Sequence, residues 1–110
     1  MSLIDRHPEG DWKIKANDFG AVTGSNIWDP AAGKRIILTD LVVSTSSATT
    51  VTIFWDTDDT DHRILKAYFA ANQGAIPTTS GLIILPRDAV IKVTNVNPTV
   101  SITLVGVEAN

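Results

Sequence analysis

The chain lacks cysteine altogether, and its 110 residues include only two histidines. Without cysteine there is no disulfide, no thiolate nucleophile, no iron–sulfur cluster and no cysteine-ligated zinc. His7 and His62 are far apart, and the two glutamates, Glu9 and Glu108, lie near opposite ends of the chain. A nucleophile, base and orienting carboxylate acting together are therefore not expected, and we predict that the chain is not an enzyme.

Long apolar runs and basic stripes are also missing. The aliphatic stretch at residues 82–85 is far shorter than the roughly 20 residues that span a bilayer, and "MSLIDRHPEGDWK" has charges where a signal peptide is apolar. The nine lysines and arginines are scattered and the net charge of the chain is -3, so the sequence shows no basic patch that would bind nucleic acid. The seven glycines form no phosphate-binding motif. We expect a protein made in the cytoplasm, with no membrane or nucleic-acid partner and no cofactor.

What the chain does contain is a repeated strand pattern. The segments "TTVTIFW", "DAVIKVTN" and "TVSITLVGV" alternate in polarity or packing face and are rich in β-branched residues. The segment "KRIILTDLVVS" is apolar on both faces, which indicates a central strand. The segment "RILKAYFAA" would tolerate a helix, but the alternation of Leu65, Ala67 and Phe69 favours a strand.

Turn-forming segments separate these runs at short intervals. The spacing predicts an all-β fold, an antiparallel, jelly-roll-like β-sandwich of about eight strands over residues 31–110. Residues 1–30 hold one short candidate strand, "DWKIKA", and are interpreted as an extended N-terminal arm; the alternative is that this segment is an integral strand. Trp12, Ile14 and Trp28 are the candidate partner contacts, because large apolar side chains in an arm need a surface to cover them.

The segment "WDTDDTDHR" concentrates four aspartates and a histidine between Trp55 and Arg63. An EF-hand loop counted from Asp56 would need glycine at its sixth position and glutamate at its twelfth, and the chain has neither there. A looser calcium site on these aspartates stays open. Aspartate and threonine are also ordinary turn residues, so we predict a solvated turn and no metal site.

Two longer segments carry a resemblance to a known class of proteins. They are "AAGKRIILTDLVVSTSSATTVTIFW" and "KAYFAANQGAIPTTSGLIILPRDAVIKVTNVNPTVSITLVGVE". Together they resemble small β-sandwich virion proteins of tailed bacteriophages, of the head decoration or cement type. The matching features are Gly33 and Lys34, the serine- and threonine-rich turn at residues 44–50, "YFAANQG" at residues 68–74 and "VGV" at residues 105–107. The likeness covers residues 31–108, and nothing in residues 1–30 matches.

The resemblance implies a structural role in a virion. Such a protein binds the outer face of the major capsid protein shell and stabilises the expanded head. Proteins of this kind act as symmetric oligomers, commonly trimers and less often dimers. The apolar residues on both faces of residues 34–44, with Val90, Val105 and Val107 on otherwise polar faces, also predict more apolar surface than one monomer buries. We therefore expect a homotrimer.

Two other functions fit a small β-sandwich. A carbohydrate-binding module would use Trp12, Trp28 or Trp55 as stacking platforms, with the aspartates as polar partners. An adaptor at the head–tail junction or baseplate would share the strand pattern of a decoration protein, and the sequence does not separate the two.

Overall fold

The computed structural model describes residues 10–56, 62–75 and 83–110, and it is built of β-strands. No helix in these ranges has the length and apolar character to cross a membrane. The strands, in chain order, are β1 (Asp11–Phe19), β2 (Val22–Trp28), β3 (Arg35–Thr45), β4 (Thr49–Trp55), β5 (Arg63–Phe69), β6 (Gln73–Ala75), β7 (Ile83–Ile84), β8 (Ile91–Asn95) and β9 (Val100–Ala109).

The strands form two antiparallel sheets. The five-stranded sheet has the order β1-β9-β3-β6, with β7 also paired to β3, and the four-stranded sheet has the order β2-β8-β4-β5. Because β6 and β7 pair with different parts of β3, they share one strand position. The order is then that of an eight-stranded jelly roll, in which the chain passes repeatedly between two packed sheets and, with β6 and β7 counted as one, only β4 and β5 follow each other within one sheet. The predicted all-β sandwich is confirmed.

The core lies between the sheets, and β3 and β9 contribute largely alternate side chains to it. In β9, for example, Ile102 and Leu104 are buried while Ser101 and Thr103 between them are half-buried. Burying an apolar side chain of this size contributes about 1.5–3 kcal/mol, so the sandwich depends on this alternation. The largest fully buried side chains are Trp28, Ile36, Leu38, Ile53, Leu85, Ile91, Ile102 and Leu104.

The N-terminal segment corrects one sequence-based interpretation. From Asp11 onward, the arm expected over residues 1–30 consists of two strands inside the sandwich: β1 pairs with β9 over nine residues and β2 pairs with β8. Phe19 and Trp28 contribute to the same core as residues 31–110. The alternative, an integral strand at "DWKIKA", is therefore the one that the structure supports. Residues 1–9 lie outside the described part of the chain.

A buried polar network joins three loops at one end of the sandwich. The Thr49 hydroxyl donates to Oδ1 of Asn95 at 2.6 Å, and Nδ2 of Asn95 donates to the Gly20 carbonyl at 3.0 Å. The Asn97 amide in turn donates to the Thr49 hydroxyl at 2.9 Å. Asn95 and Thr49 are 2% and 1% exposed, so their polar atoms need these partners.

Close approach of two strands requires a glycine at position 106. A Cβ atom built there would lie 2.4 Å from the carbonyl oxygen of Ile37 on β3. Real Cβ atoms do not approach backbone so closely, so any other residue would force β9 away from β3. The contact occurs beside a register shift between Leu38 and Asp40, where an extra residue in β3 locally bends the strand.

Candidate assembly surface

The outer face of the five-stranded sheet carries the candidate functional residues. Directly paired residues of neighbouring strands point to the same side of a sheet, so the register defines rows that cross it. Since Ile102 and Leu104 point into the core, Val105 and Val107 point outward with their partners. One row is Trp12, Val107, Ile37 and Ile84, and the next is Ile14, Val105 and Asp40.

This face exposes several large apolar side chains, although Val107 in the middle of the first row is itself fully buried. Six large hydrophobic residues of the described chain are exposed, and four of them lie on this face: Trp12 (47%), Ile14 (69%), Val42 (39%) and Ile84 (59%). Several large apolar side chains exposed on one sheet face indicate a candidate interaction surface. Trp12 and Ile14 were expected from the sequence to contact a partner, and the structure places them side by side at this surface.

Charged side chains border the apolar rows in an ordered way. On β3, Arg35 and Asp40 lie one row to either side of Ile37, since their partners on β9 are Ala109 and Val105. The Nε atom of Arg35 is buried and has no hydrogen-bond partner among the described residues. At the far end, the Ser101 hydroxyl donates to Oδ1 of Asp18 at 2.5 Å.

Trp28, the third expected partner contact, is not at the surface. Its side chain is 1% exposed within the core, and its indole Nε1 donates to Oε2 of Glu108 at 2.7 Å. A buried indole needs a polar partner for its N–H, and Glu108 provides one. Trp28 therefore stabilises the sandwich and is not available to a second protein in this conformation.

Glu108 is a buried carboxylate with both oxygens occupied. Its Oε1 accepts from the Ala31 amide at 3.1 Å, and its Oε2 lies 3.6 Å from Nζ of Lys13. Burial alone raises the pKa of Glu108, but the bonds from Trp28 and Ala31 and the charges of Lys13 and Lys15 outweigh it, so the pKa lies below its ordinary value of 4.5. Glu108 is held ionised at neutral pH.

An open polar cleft of about 390 Å³ lies beside Glu108. Lys34 reaches across it, donating from Nζ to Oδ1 of Asn110 at 2.6 Å. Glu108 already accepts two hydrogen bonds there, and the described residues that line the cleft include no nucleophile with a base. The polar contacts in the cleft are structural, since they connect β9 to β1 and to the start of β3. The lining residues are Gly10, Asp11, Lys34, Glu108, Ala109 and Asn110.

Only the ends of the acidic turn, Asp56 on one side and His62 on the other, lie within the described residues. Trp55 stacks on His62 with ring centroids 3.7 Å apart and planes at 6°, so one ring face of Trp55 is already covered. Asp56 has a φ of 62°, a left-handed conformation that aspartate tolerates in turns. Residues 57–61, and with them the predicted solvated turn, lie outside the described residues. Within the described ranges, no three metal-binding side chains form a group.

Sequence reasoning missed two parts of this arrangement. Ile84 sits on a two-residue strand whose preceding residues carry no strand pattern, so its place on the outer face follows only from pairing with Ile37. Glu108 did carry a signal, because it is the only acid in the otherwise apolar and hydroxyl-bearing β9. A lone carboxylate in a central strand is rarely buried without a partner.

Comparison of the chain with known protein families, with curated protein sequences and with solved structures gave no match.

Proposed function

We propose that the protein is a non-enzymatic virion structural protein of a tailed bacteriophage, which binds the outer capsid surface and stabilises the expanded head. The observation that carries the proposal is the exposed apolar face of the five-stranded sheet, because such a face is suited to assembly and not to chemistry. The sequence resemblance of residues 31–108 to head decoration proteins supports the same role and supplies the partner, the major capsid protein.

The stabilisation follows from mass action. A protein that binds the expanded shell and not the unexpanded one shifts the equilibrium toward the expanded form, by about 2.7 kcal/mol per site at a free concentration 100 times the Kd. No enzymatic step is needed. The virion location and a symmetric oligomer, for which the resemblance implies a trimer, belong to the same proposal.

The arrangement of the aromatic residues supports carbohydrate binding less well than it supports binding to a capsid. Of the three tryptophans that would serve as stacking platforms, Trp28 is buried and Trp55 is covered on one ring face by His62. Trp12 alone is exposed, on a sheet face whose other large residues are aliphatic. Sugar sites normally combine aromatic platforms with convergent polar groups, whereas the described neighbours of Trp12 along its row are Val107 and Ile37.

The experiment is a binding comparison on heads of the phage that encodes the chain. Purified protein is sedimented with expanded heads, unexpanded heads and isolated tails, and it is also passed over immobilised polysaccharides. We expect saturable binding to expanded heads only, with an increase in the temperature at which those heads disrupt. Binding to tails alone would make the protein an adaptor, retention on polysaccharide would make it a sugar-binding module, and no binding to heads refutes the decoration role.

A further inference from the structure

Most edges of the two sheets carry a feature that opposes pairing with a further strand. On β1, Lys13 and Lys15 point inward, where an added strand would bury them. β2 has two register shifts against β8, and such shifts twist an edge away from a partner. β6 and β7 have only three and two residues. Among the described strands, β5 is the remaining edge.

β5 contains a regular stretch, residues 65–69, that has none of these features. Its one register shift against β4 lies before this stretch, between the pairs that hold Leu65 and Arg63. The inward residues Leu65 and Ala67 are apolar and only half-buried against the core. Lys66 is the one charged side chain in the stretch, and it lies on the outer side of the sheet. The edge of β5 is therefore open to another strand.

The hydrogen bonds of β4 show which backbone groups of β5 point away from the sandwich. The Trp55 amide donates to the His62 carbonyl at 3.0 Å, so the odd-numbered residues of β4 direct their N–H and C=O groups toward β5. Their partners on residues 65–69 are odd-numbered too. The N–H and C=O groups of Lys66 and Tyr68 therefore point outward, where no described strand pairs with them.

One register allows this stretch to pair with its own copy. A two-fold axis through Ala67, the middle of residues 65–69, pairs the whole stretch and places Lys66 of each copy opposite Tyr68 of the other. An axis through Lys66 would instead oppose two lysines. An axis through Tyr68 would include Ala70, whose amide donates to Gln73 and whose carbonyl accepts from the Thr45 hydroxyl.

We propose that β5 pairs with β5 of a second copy of the chain, antiparallel and centred on Ala67, so that the two four-stranded sheets become continuous. Lys66 and Tyr68 form a hydrogen-bonded pair across the axis, and so do their symmetry mates. Because each such pair exchanges two bonds, the contact contains about four backbone hydrogen bonds. The Lys66 ammonium also meets the Tyr68 ring, which is 68% exposed in the monomer. On the inner side, the half-buried Leu65 gains cover from the second copy.

The pairing leaves the outer face of the five-stranded sheet free. Inward residues of one copy lie opposite inward residues of the other, so the two-fold axis is perpendicular to the joined sheet. Both copies then turn their five-stranded sheets to the same side, and one capsid surface can hold both. A contact between identical strands closes at two copies, so it gives a dimer and not the trimer that the sequence resemblance implies.

The dimer needs no capsid, so the purified chain is the material for the test. Because the contact is small, we measure the mass of the full chain from about 10 to 1000 μM by sedimentation equilibrium. We expect a monomer–dimer equilibrium that Tyr68→Lys weakens at least about tenfold, because like charges then lie across the axis. The double variant Lys66→Glu with Tyr68→Lys places opposite charges there and should return the Kd to within about threefold of wild type. Lys92→Glu, the same change of charge on β8, is separated from the edge by β4 and should leave the Kd unchanged.

Amide hydrogen exchange locates the contact within the strand. The N–H groups of Lys66 and Tyr68 should exchange rapidly in the monomer and slow down as the concentration rises through the Kd, while those of Leu65 and Ala67 are protected throughout. A monomer at every concentration, or an oligomer in which the Lys66 and Tyr68 amides stay fast or that Tyr68→Lys does not weaken, would overturn the proposal. A monomer that still binds expanded heads would refute the pairing and leave the capsid role standing.

Discussion

Replacing Glu108 by glutamine keeps the size of the side chain and removes its charge and one acceptor oxygen. Both of its hydrogen-bond partners are donors, the Trp28 indole at 2.7 Å and the Ala31 amide at 3.1 Å. A carboxylate accepts from both, whereas an amide offers one oxygen and turns its NH₂ group toward the other donor. Whichever way the amide turns, one donor loses its partner.

The expected loss can be worked from these contacts. A buried hydrogen bond to a charged group contributes about 1.5–3 kcal/mol, and an unpaired buried donor costs a similar amount. The ion pair with Lys13 adds at most about 1 kcal/mol, because the Lys13 side chain is 38% exposed. We expect Glu108→Gln to lower the free energy of unfolding by about 2–4 kcal/mol. For a domain of about 100 residues this reduces Tm by at least about 8 °C.

The effect should depend on pH in a defined direction. Because the pKa of Glu108 is lowered in the folded protein, its stabilisation is complete above the ordinary value of 4.5 and is lost as pH falls through the lower folded value. The gap in unfolding free energy between wild type and variant should therefore shrink below about pH 4.5. Asp29→Asn, a change at an exposed carboxylate, is the control and should alter stability by less than about 0.5 kcal/mol.

Denaturant unfolding at pH 7, 5, 4 and 3 provides the measurement for all three proteins. A loss below about 1 kcal/mol at pH 7 would contradict the inference that the buried donors of Trp28 and Ala31 depend on the carboxylate. A gap that stays constant down to pH 3 would show that the ionised form is not what stabilises the fold.

Three further predictions concern the rest of the chain. Gly106→Ala should destabilise the fold by about 1–3 kcal/mol because its Cβ would meet the β3 backbone, whereas Gly20→Ala, with no atom within 4 Å, should be tolerated; thermal unfolding compares them. Asn95→Ala should cost about 2–3 kcal/mol because the buried Thr49 hydroxyl and the part-buried Gly20 carbonyl lose their partner, against less than about 1 kcal/mol for Asn97→Ala at an exposed site, measured by denaturant unfolding. Tm should not change with added calcium if residues 56–61 form a solvated turn, and a saturable increase would contradict that prediction.

The strands that run through the middle of each sheet could be predicted from sequence alone. β3, β4 and β9 were all expected, because β-branched residues and alternation leave no other way to bury their apolar side chains. β5 was ambiguous with a helix, and its burial shows why: at the edge of its sheet, Ile64 and Leu65 are both only half-buried. Phe54 lies on the face of β4 opposite Val51 and Ile53, yet it is only 5% exposed.

The long-range pairings could not be predicted, and the error in the N-terminal segment follows from that. β1 makes its hydrogen bonds to β9, which is about 90 residues away in the chain. No local pattern specifies a partner at that separation. The indole of Trp28 shows the same difficulty, since its partner, Glu108, is 80 residues away. The residue type indicated that the Trp28 side chain had to be buried, but only the fold shows that it is buried in the core of its own domain.

In β1 the apolar side chains face outward and the charged ones face inward, which is the reverse of the usual pattern in a strand of a sandwich. This reversal connects the fold with the proposed assembly. Its outward residues, Trp12 and Ile14, are apolar and exposed, while Lys13 and Lys15 point inward at the open side of the sandwich. A strand placed to cover its own core would carry these residues on opposite faces. In a molecule that associates through its outer face, the apolar side chains belong outside, and the lysines both keep the edge from pairing and hold Glu108 ionised. This reversed pattern of β1 is consistent with the proposed association through the outer face of the sheet.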